Sequence, residues 1–261
     1  MNIGLWGYGK MGRMIEAAAP GDCRIAAVID PLVPEKQSAS GAAVVPDFSA
    51  LSAAALKDID VLIEFTRGET APSNILAAAA AGKALVCGST GWYEKLREMS
   101  AVVEASGSAL LWSPNFSLGV NLFYRIAAHA ASLTDPFAEY DVAGLETHHR
   151  KKADSPSGTA KTLMERVLAS MTRKTRVVWG DPAGTAEAAE TVHFASLRLG
   201  AVPGTHSLYF DSPADTIEIS HHARSREGFA AGALAAARWL VRGGPRRGVF
   251  TMDDVLGDIL A

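Results

Sequence analysis

The densest chemistry in the chain lies between Glu146 and Ala160, which read Glu-Thr-His-His-Arg-Lys-Lys-Ala-Asp-Ser-Pro-Ser-Gly-Thr-Ala. Imidazole titrates near neutral pH, and an ammonium crowded by other cations gives up its proton more readily, so His148 and Lys152 are the candidate proton donors. Ser157 is a good helix N-cap, and the free amides of Gly158, Thr159 and Ala160 beyond it form an anion site. A solvated basic loop and an ordinary capping turn are each common alone. Cations facing a helix N-terminus together suit a small substrate that carries carboxylates.

A second constellation opens the chain. Gly7-Tyr8-Gly9-Lys10-Met11-Gly12 matches G-x-G-x-x-G, with an apolar run before it and a helical pattern after it, the context a dinucleotide-binding turn requires. Asp30 ends the next apolar run, placed to accept from a ribose 2′-OH. A carboxylate there repels a 2′-phosphate and Pro31 supplies no cation, which favours NADH over NADPH. Three later turns follow strands, on the edge where open α/β sheets take ligands: Phe65-Thr66-Arg67-Gly68, Gly88-Ser89-Thr90-Gly91 and Ser113-Pro114-Asn115-Phe116-Ser117. Arg67 could reach a phosphate or adenine, and is equally a solvated loop cation. The other two turns are small and polar enough to approach a nicotinamide ribose or carboxamide.

Two kinds of element must position these groups. Up to about residue 117, short buried strands (Ile3–Trp6, Arg24–Ile29, Asp60–Phe65, Ala84–Cys87, Ala109–Trp112) alternate with helices at Lys10–Ala19, Thr70–Ala81 and Tyr93–Ala105. That rhythm predicts an α/β, Rossmann-like, doubly wound parallel sheet. The Ala-rich segments Ala53–Ala55 and Ala77–Ala81 are expected to be helix faces packed on it. Beyond 117 come a helix over Leu118–Ser132, a strand over Glu139–Thr147 and a helix over Thr159–Ser170. Strands at Val192–Arg198, Ser207–Asp211 and Thr216–His221 follow, joined by short turns. These predict a smaller α+β domain with a mixed or antiparallel sheet. The expected division is 1–117 for nucleotide and 118–231 for substrate and oligomerisation, with 232–261 folding back onto the first domain.

Composition narrows the function classes. The 261 residues are 48% hydrophobic and 20% charged, with a net charge of −3 and two cysteines. No basic face offers itself to nucleic acid, and two isolated thiols fit a reducing cytoplasm better than a disulfide scaffold. No apolar run reaches the ~20 residues of a membrane span, and no signal-peptide pattern opens the chain. A zinc site from His148, His149, His206 and His221 is conceivable, but their spacing matches no ligand motif such as H-E-x-x-H and no Cys joins them. No metal is expected.

These motifs converge on one family. The signature E-x-H-H-x-x-K-x-D-x-P-S-G-T-A, present from Glu146 to Ala160, resembles that of bacterial 4-hydroxy-tetrahydrodipicolinate (dihydrodipicolinate) reductases. The resemblance extends to Glu64–Arg67, Gly88–Gly91, Pro114–Asn121, Arg198–Gly200, Gly204–His206 and Glu218–His221. It implies a tetrameric NADH- or NADPH-dependent reductase of the diaminopimelate route to lysine. His148 would be the proton donor/acceptor and Lys152 the second proton donor, with His149, Gly158 and Thr159 on substrate. Gly7 to Gly12, Asp30, Gly88 to Thr90 and Pro114 to Ser117 would meet the nucleotide. The chain departs from many members in a glycine motif one residue shorter, in Asp30-Pro31 where an acid and Arg are common, and in Ser155 before Pro156. Another two-domain dehydrogenase acting on a small acid, or an NAD(H)-binding sensor without turnover, are the competing readings. The first lacks a well-placed nucleophile, since Cys87 is poorly sited, and the second leaves the His-His-Arg-Lys-Lys loop unexplained.

Overall fold

A computed structural model describes residues 1–181 and 188–260. The chain divides into two compact units, Met1–Ser117 with Glu227–Ala261, and Leu118–Arg226. The return to the first unit therefore begins at Glu227, ahead of the expected 232.

In the first unit, strands β1 (Asn2–Trp6), β2 (Arg24–Ile29), β3 (Ala43–Val45), β4 (Val61–Glu64), β5 (Ala84–Cys87) and β6 (Ala109–Trp112) alternate with helices α1 (Lys10–Ala18), α2 (Ala53–Asp58), α3 (Ala71–Ala80) and α4 (Leu96–Ser106). The second unit holds α5 (Leu118–Thr134), β7 (Asp141–His148), α6 (Gly158–Ala169), β8 (Arg176–Trp179), β9 (Thr191–Arg198), β10 (Thr205–Asp211) and β11 (Thr216–His222). The tail adds α7 (Glu227–Val241), β12 (Gly248–Phe250) and α8 (Met252–Leu260) to the first unit.

The first sheet runs β12-β6-β5-β4-β1-β2-β3, parallel throughout. Its central strands read as continuous apolar runs because both faces are covered. On one face, Ile75, Ala78, Met99 and Val103 from α3 and α4 pack with Leu62, Leu85 and Leu110. α7 lies against α1, β4 and β5, and its Ala230, Ala233, Ala236 and Ala237 are buried, which lets the helix approach closely. The strand order reverses between β1 and β4, the switch point where such sheets bind ligands. The Ala53–Ala55 segment is helical and α2 touches β2 at the sheet, but it packs loosely there, burying no residue.

The second sheet runs β11-β10-β7-β9-β8 and is mixed: β10 pairs antiparallel with β11 and β7, while β9 pairs parallel with β7 and β8. β9 and β10, expected as neighbours, are separated by β7. The eight residues of β7 alternate strictly, with Val142, Gly144, Glu146 and His148 turned inward. That inner face meets α5 and α6 through Phe123, Ala127, Leu163, Met164, Phe194 and Phe210.

One acid ties the loop after β2 to α1. Glu16 accepts from the Ser38 and Ser40 hydroxyls (2.5 Å each), from the Ser40 amide at 3.0 Å and from the Tyr8 hydroxyl. Burial opposes its charge, but these hydrogen bonds outweigh burial and hold its pKa at about 2. A depressed native pKa adds stability above the unfolded value near 4.5, and that stability is lost as pH falls toward 2. Glu16→Gln should cost roughly 2 kcal/mol at pH 7, with the gap to wild type closing below about pH 4; urea unfolding at several pH values measures it.

Candidate functional site

The inward row of the second sheet builds the site. In register, Glu146 on β7 lies between His206 on β10 and Ser196 on β9, with His221 on β11 beyond His206, and His148 lies opposite Arg198. Paired residues share a face, so topology alone gathers these groups. Glu146 is completely buried. Its Oε1 accepts from the Ser157 amide (3.0 Å), the Ser196 hydroxyl (2.9 Å) and the Arg198 guanidinium (3.4 Å). Its Oε2 lies 3.4 Å from both His148 Nδ1 and His206 Nε2. Both approaches fall within ion-pair range but miss hydrogen-bond alignment, leaving Oε2 and Nδ1 buried without a hydrogen-bond partner. Burial would raise the Glu146 pKa. Hydrogen bonds from Ser157 and Ser196, with the His206 ring close by, overcome it and keep the group a carboxylate.

His148 ends β7 and is 7% exposed. Burial lowers its pKa first; Glu146 pulls it up, while His206, Lys152 and Arg198 push it down, to about 4. The resting ring is therefore neutral at pH 7. Gly204 lies against it so closely that an added Cβ would meet His148 Nε2 at 3.0 Å.

α6 is anchored beside it. The Ser157 hydroxyl caps the helix by accepting from the Ala160 amide (3.0 Å) and lies 3.2 Å from His206 Nε2. Lys152 meets an anion rather than the expected crowd of cations: its Nζ lies 2.7 Å from Asp154 Oδ1. The Lys152 contact, strengthened by the Gly158 amide, draws the Asp154 pKa below the usual range. Asp154 thus engages Lys152, expected as a proton donor, and the Gly158 amide, expected to hold a foreign carboxylate. Gly158 is exposed, Thr159 half-buried, and the half-buried His149 keeps a buried Nδ1 without a hydrogen-bond partner.

The first unit carries the nucleotide candidates. Gly7 has φ +93°, and a Cβ there would meet Phe65 O at 2.4 Å, so β1 and the end of β4 can turn past each other only at glycine. A Cβ on Gly12 would meet Gly7 O at 2.2 Å, which is the close packing the third glycine permits. Gly9, before α1, has no side-chain cap and open space where a Cβ would stand. The uncapped amides and free approach over Gly9 fit a pyrophosphate. Lys10 is exposed and Met11 half-buried. The Tyr8 ring is buried and committed to Glu16.

Asp30, half-buried, accepts from the Tyr8 amide (2.7 Å) and the Leu32 amide (2.8 Å), one on each oxygen, so it shapes the turn as well as standing where a ribose acceptor is expected. Arg67, Thr90 and Pro114 are exposed and Gly88 is half-buried. Ser89 donates to the buried Glu64 (2.9 Å), Phe116 packs on Phe65, and Asn115 Oδ1 accepts from the Ser117 amide (2.9 Å). Glu64 also takes the Thr66 amide (2.9 Å) and Cys87 Sγ (3.1 Å). Sequence reasoning missed Glu146, Ser196 and Arg198 as site members, and Glu64 as the tie between two loops. The signal for Glu146 was present: residues two apart on a strand share a face, which places it beside His148.

Comparison with known proteins agrees with this geometry. Residues 1–116 match the family model "Dihydrodipicolinate reductase, N-terminus" and residues 119–256 match its C-terminal counterpart. The chain belongs to the dihydrodipicolinate reductase family. It is 35% identical over 260 residues to the 4-hydroxy-tetrahydrodipicolinate reductase of Christiangramia forsetii, covering 99% of each chain. It is 38% identical over 259 residues to the protein of that name from Thiobacillus denitrificans, covering 95% of each. In fold it resembles the dipicolinate-bound dihydrodipicolinate reductase of Paenisporosarcina sp. TG-14, with a TM-score of 0.78 at 21% identity, covering 96% of this chain and 97% of that one. The family's C-terminal model runs past Arg226 into α8, so along the sequence it includes the tail that structurally completes the first unit.

The dual duty of Asp30 makes a distinguishing prediction. Asp30→Ala should lower stability by roughly 2 kcal/mol without any nucleotide, through the two lost amide acceptors. A purely ligand-facing acid would leave the urea midpoint unchanged.

Proposed function

We propose that this chain reduces 4-hydroxy-tetrahydrodipicolinate to tetrahydrodipicolinate in diaminopimelate and lysine biosynthesis, using NADH or NADPH. The carrying observation is the buried Glu146–His148 pair set beside Lys152 and the start of α6, in a chain of this family. When bound, the reduced nicotinamide supplies a hydride. The overall change balances as hydride plus proton added and water lost.

The chain's residues bind the acid and manage the proton. His149 and the Gly158 and Thr159 amides would receive one substrate carboxylate, displacing Asp154. His148, held neutral by burial and nearby cations, acquires a proton more readily once two substrate carboxylates offset those cations. It and Lys152 then serve as proton donors, a contribution of the order general acids make. Gly7 to Gly12, Asp30, Arg67, Gly88 to Thr90 and Pro114 to Ser117 are the proposed nucleotide contacts. For Ser89 and Phe116 the contact would come through the backbone, since their side chains are engaged elsewhere; Tyr8, its amide held by Asp30 and its hydroxyl by Glu16, would meet the nucleotide only through its carbonyl and the turn it shapes. The Asp30 charge and the neighbouring Pro31 favour NADH.

We further propose a cytoplasmic homotetramer, assembled through the second unit; no helix among the described residues is long and apolar enough to cross a membrane. Leu197, on the sheet face away from α5 and α6, is 51% exposed and is a candidate contact. Light scattering tests the assembly.

Steady-state NADH oxidation with freshly generated substrate tests the reaction. Lys152→Ala and His148→Ala should each lower kcat by about 10²-fold or more, with melting temperatures near wild type. Wild type without turnover, or near-normal kcat in Lys152→Ala, would refute the assignment.

A further inference from the structure

We propose that Glu146, His148 and His206 form a binding site for a zinc-class divalent cation, with Oε2, Nδ1 and Nε2 as the donor atoms. Each of the three residues offers a ligand atom within 4.8 Å of the others, on side chains that are all buried. Two separations carry the argument: Oε2 stands 3.4 Å from each ring nitrogen. A tetrahedral ion with bonds of about 2.1 Å holds its ligands roughly 3.4 Å apart, since the edge of a tetrahedron is about 1.63 times the bond. The same separations are misaligned for hydrogen bonds, which is why Oε2 and Nδ1 have none. A cation seated among them would satisfy both with their lone pairs.

The donor set also selects the ion. Two imidazoles and one carboxylate suit zinc, and three protein ligands leave a fourth position for water or an entering ligand. Magnesium and calcium, which want six or more oxygens, find one carboxylate oxygen here. Ser157 Oγ, 3.2 Å from His206 Nε2, would give up that contact. The orientation of Glu146 is fixed independently of any ion, because Ser157 N, Ser196 and Arg198 grip Oε1 and turn Oε2 toward the two rings. This grouping differs from the four-histidine site considered from sequence, since a carboxylate takes the place of His149 and His221.

The site stands without the reductase reading. Its consequence rests on that reading: an ion on Nδ1 would immobilise the ring proposed to carry the proton, so zinc would inhibit. Equilibrium dialysis of the full chain against zinc, with bound metal measured by mass spectrometry, tests the site directly. Wild type should retain one zinc per chain. His206→Asn and Glu146→Gln should lose it while melting curves show them folded, and exposed His129→Ala should keep it. Cobalt in place of zinc should give the intense visible absorption of tetrahedral coordination in wild type and not in His206→Asn. Failure of wild type to retain zinc, or equal retention by folded His206→Asn and Glu146→Gln, would overturn the proposal. Zinc retained by a chain that still shows no turnover after the metal is stripped with a chelator would sink the reductase reading and leave the metal site standing.

Discussion

A carboxylate buried in the middle of a sheet must be answered from several directions at once, and the second unit is arranged around that demand. Glu146 is wholly inaccessible on the central strand β7. An isolated charge there would be prohibitive, so the strand on one side supplies a hydroxyl and a guanidinium, the strand on the other an imidazole, and the helix start an amide. These four groups come from three elements, two of them from β9. β9, β10 and α6 are therefore placed relative to β7 by one side chain, and the same side chain places His148 beside it.

The first unit solves a related problem with Glu64. It ends β4 at the switch point, also fully buried, and collects donors from Thr66, Ser89 and Cys87. Thr66 and Ser89 belong to the turns after β4 and β5, both proposed to meet the nucleotide, and Cys87 ends β5. Cys87 is part of this arrangement rather than a bystander. Burial, then the Glu64 charge, push its thiol pKa far up, so it remains a protonated donor and not a nucleophile.

Patterns with a strong period were legible in the sequence. The long helices, the buried strands β1, β2, β4, β5 and β6, and the alternation on β7 appear within about three residues of where hydrophobic spacing puts them. The missed strands are β3, β8 and β12, of three or four residues each, too short for a period of two to show. β12 also reaches the far edge of the first sheet only because the tail returns, a non-local pairing no local signal encodes. The insertion of β7 between β9 and β10 escaped for the same reason. At the site, residue types located His148, Lys152 and the glycine turn. The commitments of Tyr8 to Glu16 and of Asp30 to two amides depend on neighbours that only the fold brings near.

Charge at the α6 start explains why the fifteen-residue signature contains an acid among so many cations. Lys152 and the Gly158 amide would otherwise be left to solvent, and Asp154 meets both. It does so from a side chain 56% exposed, where the pairing contributes little to stability. A weak internal anion is a suitable occupant for the proposed ligand site: it balances the cations there, yet would yield to an anion with better geometry. A ligand with one carboxylate gains only the exchange of one anion for another. A ligand with two would bring a charge that Asp154 does not, and the unanswered part of the field lies around His148, where burial first, and then His206, Lys152 and Arg198, hold the ring neutral. In the proposed reaction the second carboxylate would thus be the one that changes the protonation of the ring, linking recognition of a dicarboxylate to readiness for proton transfer.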